Sequence, residues 1–149
     1  MAEIERSADA FWQGDSRSGQ GKISTGSGAI HDQAYTWRMR FTDEPGTNPE
    51  ELIAAAHAGC YSMALASGLK KAGFTAESIQ THAVLTMEQA DSGWIVTRIR
   101  LEVQAVVPAI DEAAFQERAR EAKENCPISR LLAPGLKSIE LAAALSHPA

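Results

Sequence analysis

Two cysteines, a histidine three residues before one of them, two arginines and a glutamate carry most of the reactive potential of this chain: Cys60, Cys126, His57, Arg38, Arg40 and Glu50. A thiolate can attack an electrophilic oxygen or bind a metal; a thiol cannot do either well. Cys126 lies between Asn125 and Pro127, near the start of a short helix. Free N–H groups and the helix dipole lower a thiol pKa there, so local physics marks Cys126 as the better-placed thiolate. Cys60 falls inside a helix, in His57-Ala58-Gly59-Cys60-Tyr61-Ser62-Met63. Taken alone it reads as a small buried hydrophobe, and it needs a cation from elsewhere to ionise. His57 and Cys60 share a helix face and could form half a metal site. The other half would need Cys126 and a distant His31, His82 or His147, and no C-x-x-C or H-x-x-x-H is present. Zinc is therefore disfavoured, and no metal is expected. His57 as a general base for Cys60 stays open beside the commoner reading, a satisfied helix histidine. There is no nucleophile elbow, phosphate-binding loop or dinucleotide fingerprint.

These residues need elements to position them. Residues 34–42 alternate Tyr35, Trp37, Met39 and Phe41 with Thr36, Arg38, Arg40 and Thr42, the period of a half-buried strand. On a strand, Arg38 and Arg40 share a face. That face is either solvated or aims a guanidinium at an anion across an interface. Pro45-Gly46 ends it. Asn48 can then cap a helix, with Pro49 at its first position and Glu50 and Glu51 in its first turn. This helix is expected to run to about Ala72, with Lys70 and Lys71 in its last turn and Gly73 just beyond. Its many Ala and Gly residues let another backbone come close, so it is placed centrally. Strands are expected over 78–87 and 94–107, joined by the turn Ala90-Asp91-Ser92-Gly93. Asp111 caps a second helix to about Asn125, presenting Phe115, Ala119, Ala122 and Cys126 on one face. A short helix over 128–132 and a final strand through Ile139, Leu141, Ala143 and Leu145 follow. Short strands separated by turns precede all this, in the Gly- and Ser-rich stretch 14–28. The order is βββ-α-ββ-α-α-β, an α+β class with antiparallel sheets around a long central helix.

Length and composition bound the function. The chain has 149 residues, with 14 Lys plus Arg against 19 Asp plus Glu, giving a net charge of −5. One domain spanning 1–149 is expected, since this length buries roughly 68–70% of its unfolded surface without disulfides or metals. An acidic balance argues against nucleic acid and against anionic lipid. The first residues contain no basic and apolar leader, and 52–69 reads as too polar for a membrane span. A cytoplasmic location is the expectation.

Several of these segments together resemble one family. The run from Gly46 through Asn48-Pro49-Glu50-Glu51-Leu52 to Ala55-Ala56-His57-Ala58-Gly59-Cys60-Tyr61-Ser62-Met63-Ala64-Leu65 is similar to the central helix of the OsmC subfamily within the OsmC/Ohr peroxidases. Cys126-Pro127-Ile128-Ser129 resembles its second cysteine motif, and Trp12-Gln13-Gly14-Asp15 and Gly21-Lys22-Ile23-Ser24-Thr25 its opening strands. The resemblance implies a thiol-dependent reductase of organic hydroperoxides. It assigns Cys60 as peroxidatic thiolate, Cys126 as resolving cysteine, Glu50 as site carboxylate and Arg40 as site arginine, with Arg38 the competing choice. It implies an intertwined homodimer, no bound cofactor and an external dithiol as reductant, of which dihydrolipoyl groups on a lipoyl-bearing protein are the Ohr-branch kind. A non-catalytic dimeric binding module with two buried thiols is the alternative. Helix geometry supports the dimer. Glu50 and Cys60 stand ten residues apart, about 15 Å of rise in one helix, so a shared site is more easily built from two chains.

Overall fold

The computed structural model describes all 149 residues. The elements are β1 (Ala8–Gln13), β2 (Gln20–Thr25), β3 (Gln33–Tyr35), α1 (Trp37–Phe41), α2 (Pro49–Lys71), β4 (Ser78–Ala90), β5 (Gly93–Val106), α3 (Glu112–Asn125), α4 (Pro127–Leu132), a 3₁₀ turn (Ala133–Gly135) and β6 (Ser138–Ser146). The chain divides into two compact units, Met1–Leu52 and Ile53–Ala149.

In the first unit, β1, β2 and β3 form an antiparallel sheet in that order, with Trp12 opposite Gly21 and Gly21 opposite Tyr35. Gly21 is required there: a Cβ would lie 2.5 Å from the Tyr35 ring and 2.7 Å from the Trp12 ring. Its absence lets the two rings meet at 5.3 Å between centroids.

The expected strand over 34–42 is the main correction. Only Gln33–Tyr35 is strand; Trp37–Phe41 is a helix. Thr36 takes an extended backbone and its hydroxyl accepts the Met39 N–H, an N-cap that starts a helical turn. A strand of nine residues would also need a partner along its length, and β3 pairs with β2 only over 33–35. Arg38 and Arg40 consequently do not share a face, because residues two apart on a helix diverge.

In the second unit, β5 is the middle strand of β4-β5-β6. Its alternation is strict: Thr97, Ile99, Leu101, Val103 and Ala105 are buried, while Arg98, Arg100, Glu102 and Gln104 are exposed. β4 pairs with it antiparallel through the hairpin at Asp91 and Ser92, with Gly93 at φ 113°. β6 pairs with it parallel, which corrects the expectation of antiparallel sheets alone. The α3–α4 connection makes this possible, since parallel neighbours need a long crossover. Each fully buried Leu or Phe in this core contributes about 1.5–3 kcal/mol.

α2 buries His57, Tyr61, Leu65 and Leu69, one residue per four, in the same core as Phe115 and Ala119 of α3 and the inner face of β5. The Tyr61 hydroxyl donates to the Ala119 carbonyl at 2.9 Å, tying α2 to α3. Asn48 caps α2, accepting the Glu51 N–H at 2.8 Å, and Gly73 at φ 91° closes its far end. By length and apolarity alone this helix would suffice to cross a bilayer, with 23 residues and an 18-residue stretch of mean hydropathy 1.3, contrary to the reading of 52–69 as too polar. Its buried stripe is nonetheless spent on the protein's own core.

Candidate active site

In the first unit, Arg40 and Glu50 form a charged fork. Arg40 Nε donates to both Glu50 carboxylate oxygens at 3.0 Å, and Nη2 donates to Oε1 at 2.5 Å. Arg40 comes from α1 and Glu50 from the first turn of α2. The turn between them is fastened locally. The Asn48 side-chain amide donates to the Met39 carbonyl at 3.2 Å, and Gly46, at φ 150°, lies where a Cβ would strike the Met39 side chain. Arg38 points elsewhere, to Glu44 at 3.4 Å, and is the more exposed of the two arginines. The Glu50 side chain is only 12% exposed against 41% for Arg40, so the carboxylate is an inner anchor and the guanidinium keeps an open side. Beside the fork is a cleft of about 390 Å³ lined by Trp12, Tyr35, Thr36, Trp37, Phe41 and Arg40. Apart from the strand alternation of Tyr35, Trp37 and Phe41, nothing in the sequence marked these aromatics as one surface. The signal available was three aromatic residues close together, Tyr35, Trp37 and Phe41, with Trp12 far earlier in the chain, which does not reveal a shared wall.

In the second unit, Cys60 of α2 and Cys126, the residue that begins α4, are free thiols with Sγ atoms 3.0 Å apart. Cys126 is fully buried and Cys60 partly so. Cys126 does not use its side chain to cap α4. The helix-start amide acts on the other thiol instead: the Ile128 backbone amide favours the Cys60 thiolate. Burial outweighs this and, with Cys126 beside it, pushes the Cys60 thiol up from its ordinary range. None of the groups acting on Cys60 is positively charged.

His57 does not reach Cys60 by a hydrogen bond. Its Nε2 lies 2.7 Å from Ser129 Oγ, and both residues are buried. Nδ1 has no protein partner, a cost of roughly 1–3 kcal/mol for a buried polar atom. Burial also lowers the His57 pKa. No group of three or more His, Cys, Asp or Glu side chains is arranged to hold a metal ion. Sequence spacing pairs His57 with Cys60, whereas its partner in the fold is Ser129, 72 residues away.

Two adjacent free thiols in one unit and a carboxylate-held arginine in the other are groups of the kind that thiol-based redox proteins use. The family model described as OsmC-like protein matches residues 41–140. Over 129 residues the chain is 45% identical to the protein named peroxiredoxin OsmC of Escherichia coli strain K12, covering 87% of this chain and 90% of that one. It is 27% identical over 111 residues to the organic hydroperoxide resistance protein OhrB of Bacillus subtilis, covering 74% and 79%. An OsmC-like protein from Mycoplasma pneumoniae superposes with a TM-score of 0.76 at 15% identity, over 98% of this chain and all of that one. The chain belongs to the OsmC-like family. It is a peroxidase, and thus an oxidoreductase.

Proposed function

We propose that the protein reduces organic hydroperoxides to alcohols with Cys60 as the attacking thiolate and Cys126 as the resolving thiol. The Cys60 sulfur attacks one peroxide oxygen, the O–O bond breaks, and the departing alkoxide takes a proton to become the alcohol. Cys60 is left as sulfenic acid. Cys126 sulfur then displaces hydroxide from it, which leaves as water, and a Cys60–Cys126 disulfide forms. An external dithiol restores both thiols; a lipoyl-bearing protein would serve. No bound cofactor is required. The observation that carries this reading is the 3.0 Å approach of the two sulfurs, with Cys60 the less buried of the two.

A thiolate is still needed, and burial opposes it. Arg40 is the natural source of charge. A guanidinium beside a thiol favours S⁻ and can hydrogen-bond a developing alkoxide. Glu50 fixes its orientation through a bidentate fork. Glu50 and Cys60 lie ten residues apart on α2, about 15 Å of rise. We therefore read the active form as an intertwined homodimer in which Arg40 and Glu50 of one chain serve Cys60 of its mate. The exposed face of α2, with Ala55, Ala56, Gly59, Ala66 and a 76% exposed Met63, is suited to such packing. The aromatic cleft at Arg40 would receive the organic group, favouring alkyl or aryl hydroperoxides over hydrogen peroxide. A cytoplasmic location completes the reading.

Peroxide consumption with excess dithiol tests it. Cys60→Ser should abolish turnover, and Cys126→Ser should permit one oxidation of Cys60 that dimedone traps. Turnover retained in Cys60→Ser, with the label on Cys126, would reverse the two roles.

A further inference from the structure

We propose that His57 is a positioning residue for disulfide formation: its hydrogen bond to Ser129 fastens the Cys126-bearing end of α4 to α2, so that the resolving sulfur meets Cys60. This rests on the peroxidase reading above. His57 sits on α2 one turn before Cys60, and Ser129 sits three residues after Cys126. The 2.7 Å bond between them therefore runs alongside the 3.0 Å sulfur pair, linking the same two elements. The Ile128 amide, which favours the Cys60 thiolate, lies between Cys126 and Ser129 and is held by the same fastening.

Packing alone does not account for a histidine here. The site is fully buried, and Nδ1 has no protein partner. An apolar side chain of similar volume would fill the space without leaving a polar atom unpaired. What histidine adds is Nε2 at hydrogen-bond distance from Ser129. α4 is otherwise held by its ends, buried Cys126 before it and part-buried Leu132 packed on the core; between them it has no side-chain cap and one buried residue, Ser129 itself. The resolving step needs that placement. Cys126 sulfur must approach the Cys60 sulfenic sulfur along the S–O axis, form the S–S bond and expel the oxygen as water. A displacement of about an ångström at such a step costs up to roughly a hundredfold in rate.

The test separates the two chemical steps. Each variant receives one equivalent of cumene hydroperoxide with dimedone present, and loss of Cys60 thiol, dimedone adduct and disulfide are measured by mass spectrometry. In His57→Phe and Ser129→Ala, disulfide formation should slow by about ten- to a hundredfold. Loss of the Cys60 thiol should slow less, so the ratio of adduct to disulfide rises. His57→Gln, whose Nε2 reaches a similar position, should restore most of the disulfide rate. The double variant His57→Phe/Ser129→Ala should be no worse than either single one, because both remove the same bond. Wild-type partitioning in Ser129→Ala would overturn the proposal, and would do so even if His57→Phe failed to fold. Equal impairment of His57→Gln and His57→Phe, or additive losses in the double variant, would overturn it as well. Failure of the wild-type protein to lose its Cys60 thiol would instead refute the peroxidase reading.

Discussion

Arg40 and Glu50 are ten residues apart in sequence, oppositely charged, and joined by a short turn whose fastenings are all local. Cys60 and Cys126 are 66 residues apart and meet only because α2 and α3 share a core. Arg40 stands on a five-residue helix with no buried residue and Glu50 on the first turn of α2, ahead of its first buried residue; the cysteines stand among elements that bury Tyr61, Leu65, Phe115 and Ala119. The arginine–glutamate pair is thus carried by the lightly built region and the thiol pair by the heavily built one. The contrast teaches where each property can be altered. A change at Arg40 should act on reactivity with little effect on stability, whereas a change beside the thiols should move both.

The largest effect expected from this contrast is electrostatic. Arg40→Met should raise the Cys60 pKa and slow its oxidation by roughly a hundredfold or more, by analogy with one to three pKa units for an ion-paired group. Arg38→Met should change neither appreciably, because Arg38 is engaged with Glu44. Thiolate absorbance against pH, with single-turnover oxidation rates, provides the comparison. A larger effect from Arg38→Met would mean that the fork with Glu50 is not the working arrangement.

Next in size is complementation between chains. Glu50→Gln and Cys60→Ser chains are each expected to be impaired as homodimers. Co-expressed, they should give mixed dimers with one intact site and one doubly defective site, recovering about half the wild-type activity if two equivalent sites act independently. Activity in the purified mixed dimer no higher than in the parents would break the shared-site reading, and a monomeric mass by light scattering would remove the dimer.

How much of this was legible in sequence follows from the same contrast. The core region could be read because burial imposes periodicity. Alternation through Ile99, Leu101, Val103 and Ala105, and the α3 face of Phe115, Ala119 and Ala122, repeat wherever an element has one face inside. The parallel pairing of β6 left no such mark, since alternation is the same for either direction. In the lighter region, the alternation of Tyr35, Trp37, Met39 and Phe41 resembled a strand, but no partner strand extends past Tyr35, and the Thr36 cap decided for a helix. The two cysteines and the arginine–glutamate pair were named from family resemblance. Which arginine meets Glu50, and that His57 meets Ser129, depend on side-chain directions and on contacts between segments far apart in the chain, which no local pattern encodes.

A smaller effect concerns acid. Burial depresses the His57 pKa below its ordinary value of 6.5. A depressed folded-state value means that the unfolded chain binds the proton first. The stability contributed by neutral His57 is therefore present above pH 6.5 and is lost as pH falls through the folded-state value. The loss has a limiting slope of about 1.4 kcal/mol per pH unit. Urea unfolding between pH 7.5 and 5 should show a decline that His57→Gln removes in part. Identical pH dependence in the variant would mean that protonation of His57 is not what weakens the core.

The smallest effects come from two helix caps with the same geometry in the two regions. Thr36 accepts the Met39 N–H at the start of α1, and Asp111 accepts the Ala114 N–H at the start of α3. A cap of either kind is worth roughly 0.5–2 kcal/mol to its own helix. The consequences should differ because the helices differ. α3 has 14 residues and a buried face, so its free energy is part of the cooperative unit. Asp111→Ala should lower Tm by about 2–4 °C for each kcal/mol lost, with peroxidase activity intact. α1 has five residues and buries none of them, so its loosening is local and only weakly registered by global unfolding. Thr36→Ala should shift Tm less than Asp111→Ala but slow Cys60 oxidation more, since α1 is what aims Arg40 at Glu50. Calorimetry and single-turnover kinetics on the two variants decide the matter. If Thr36→Ala costs more stability than Asp111→Ala and leaves oxidation untouched, α1 belongs to the folding core, and the division between a lightly built charged region and a heavily built redox region does not hold.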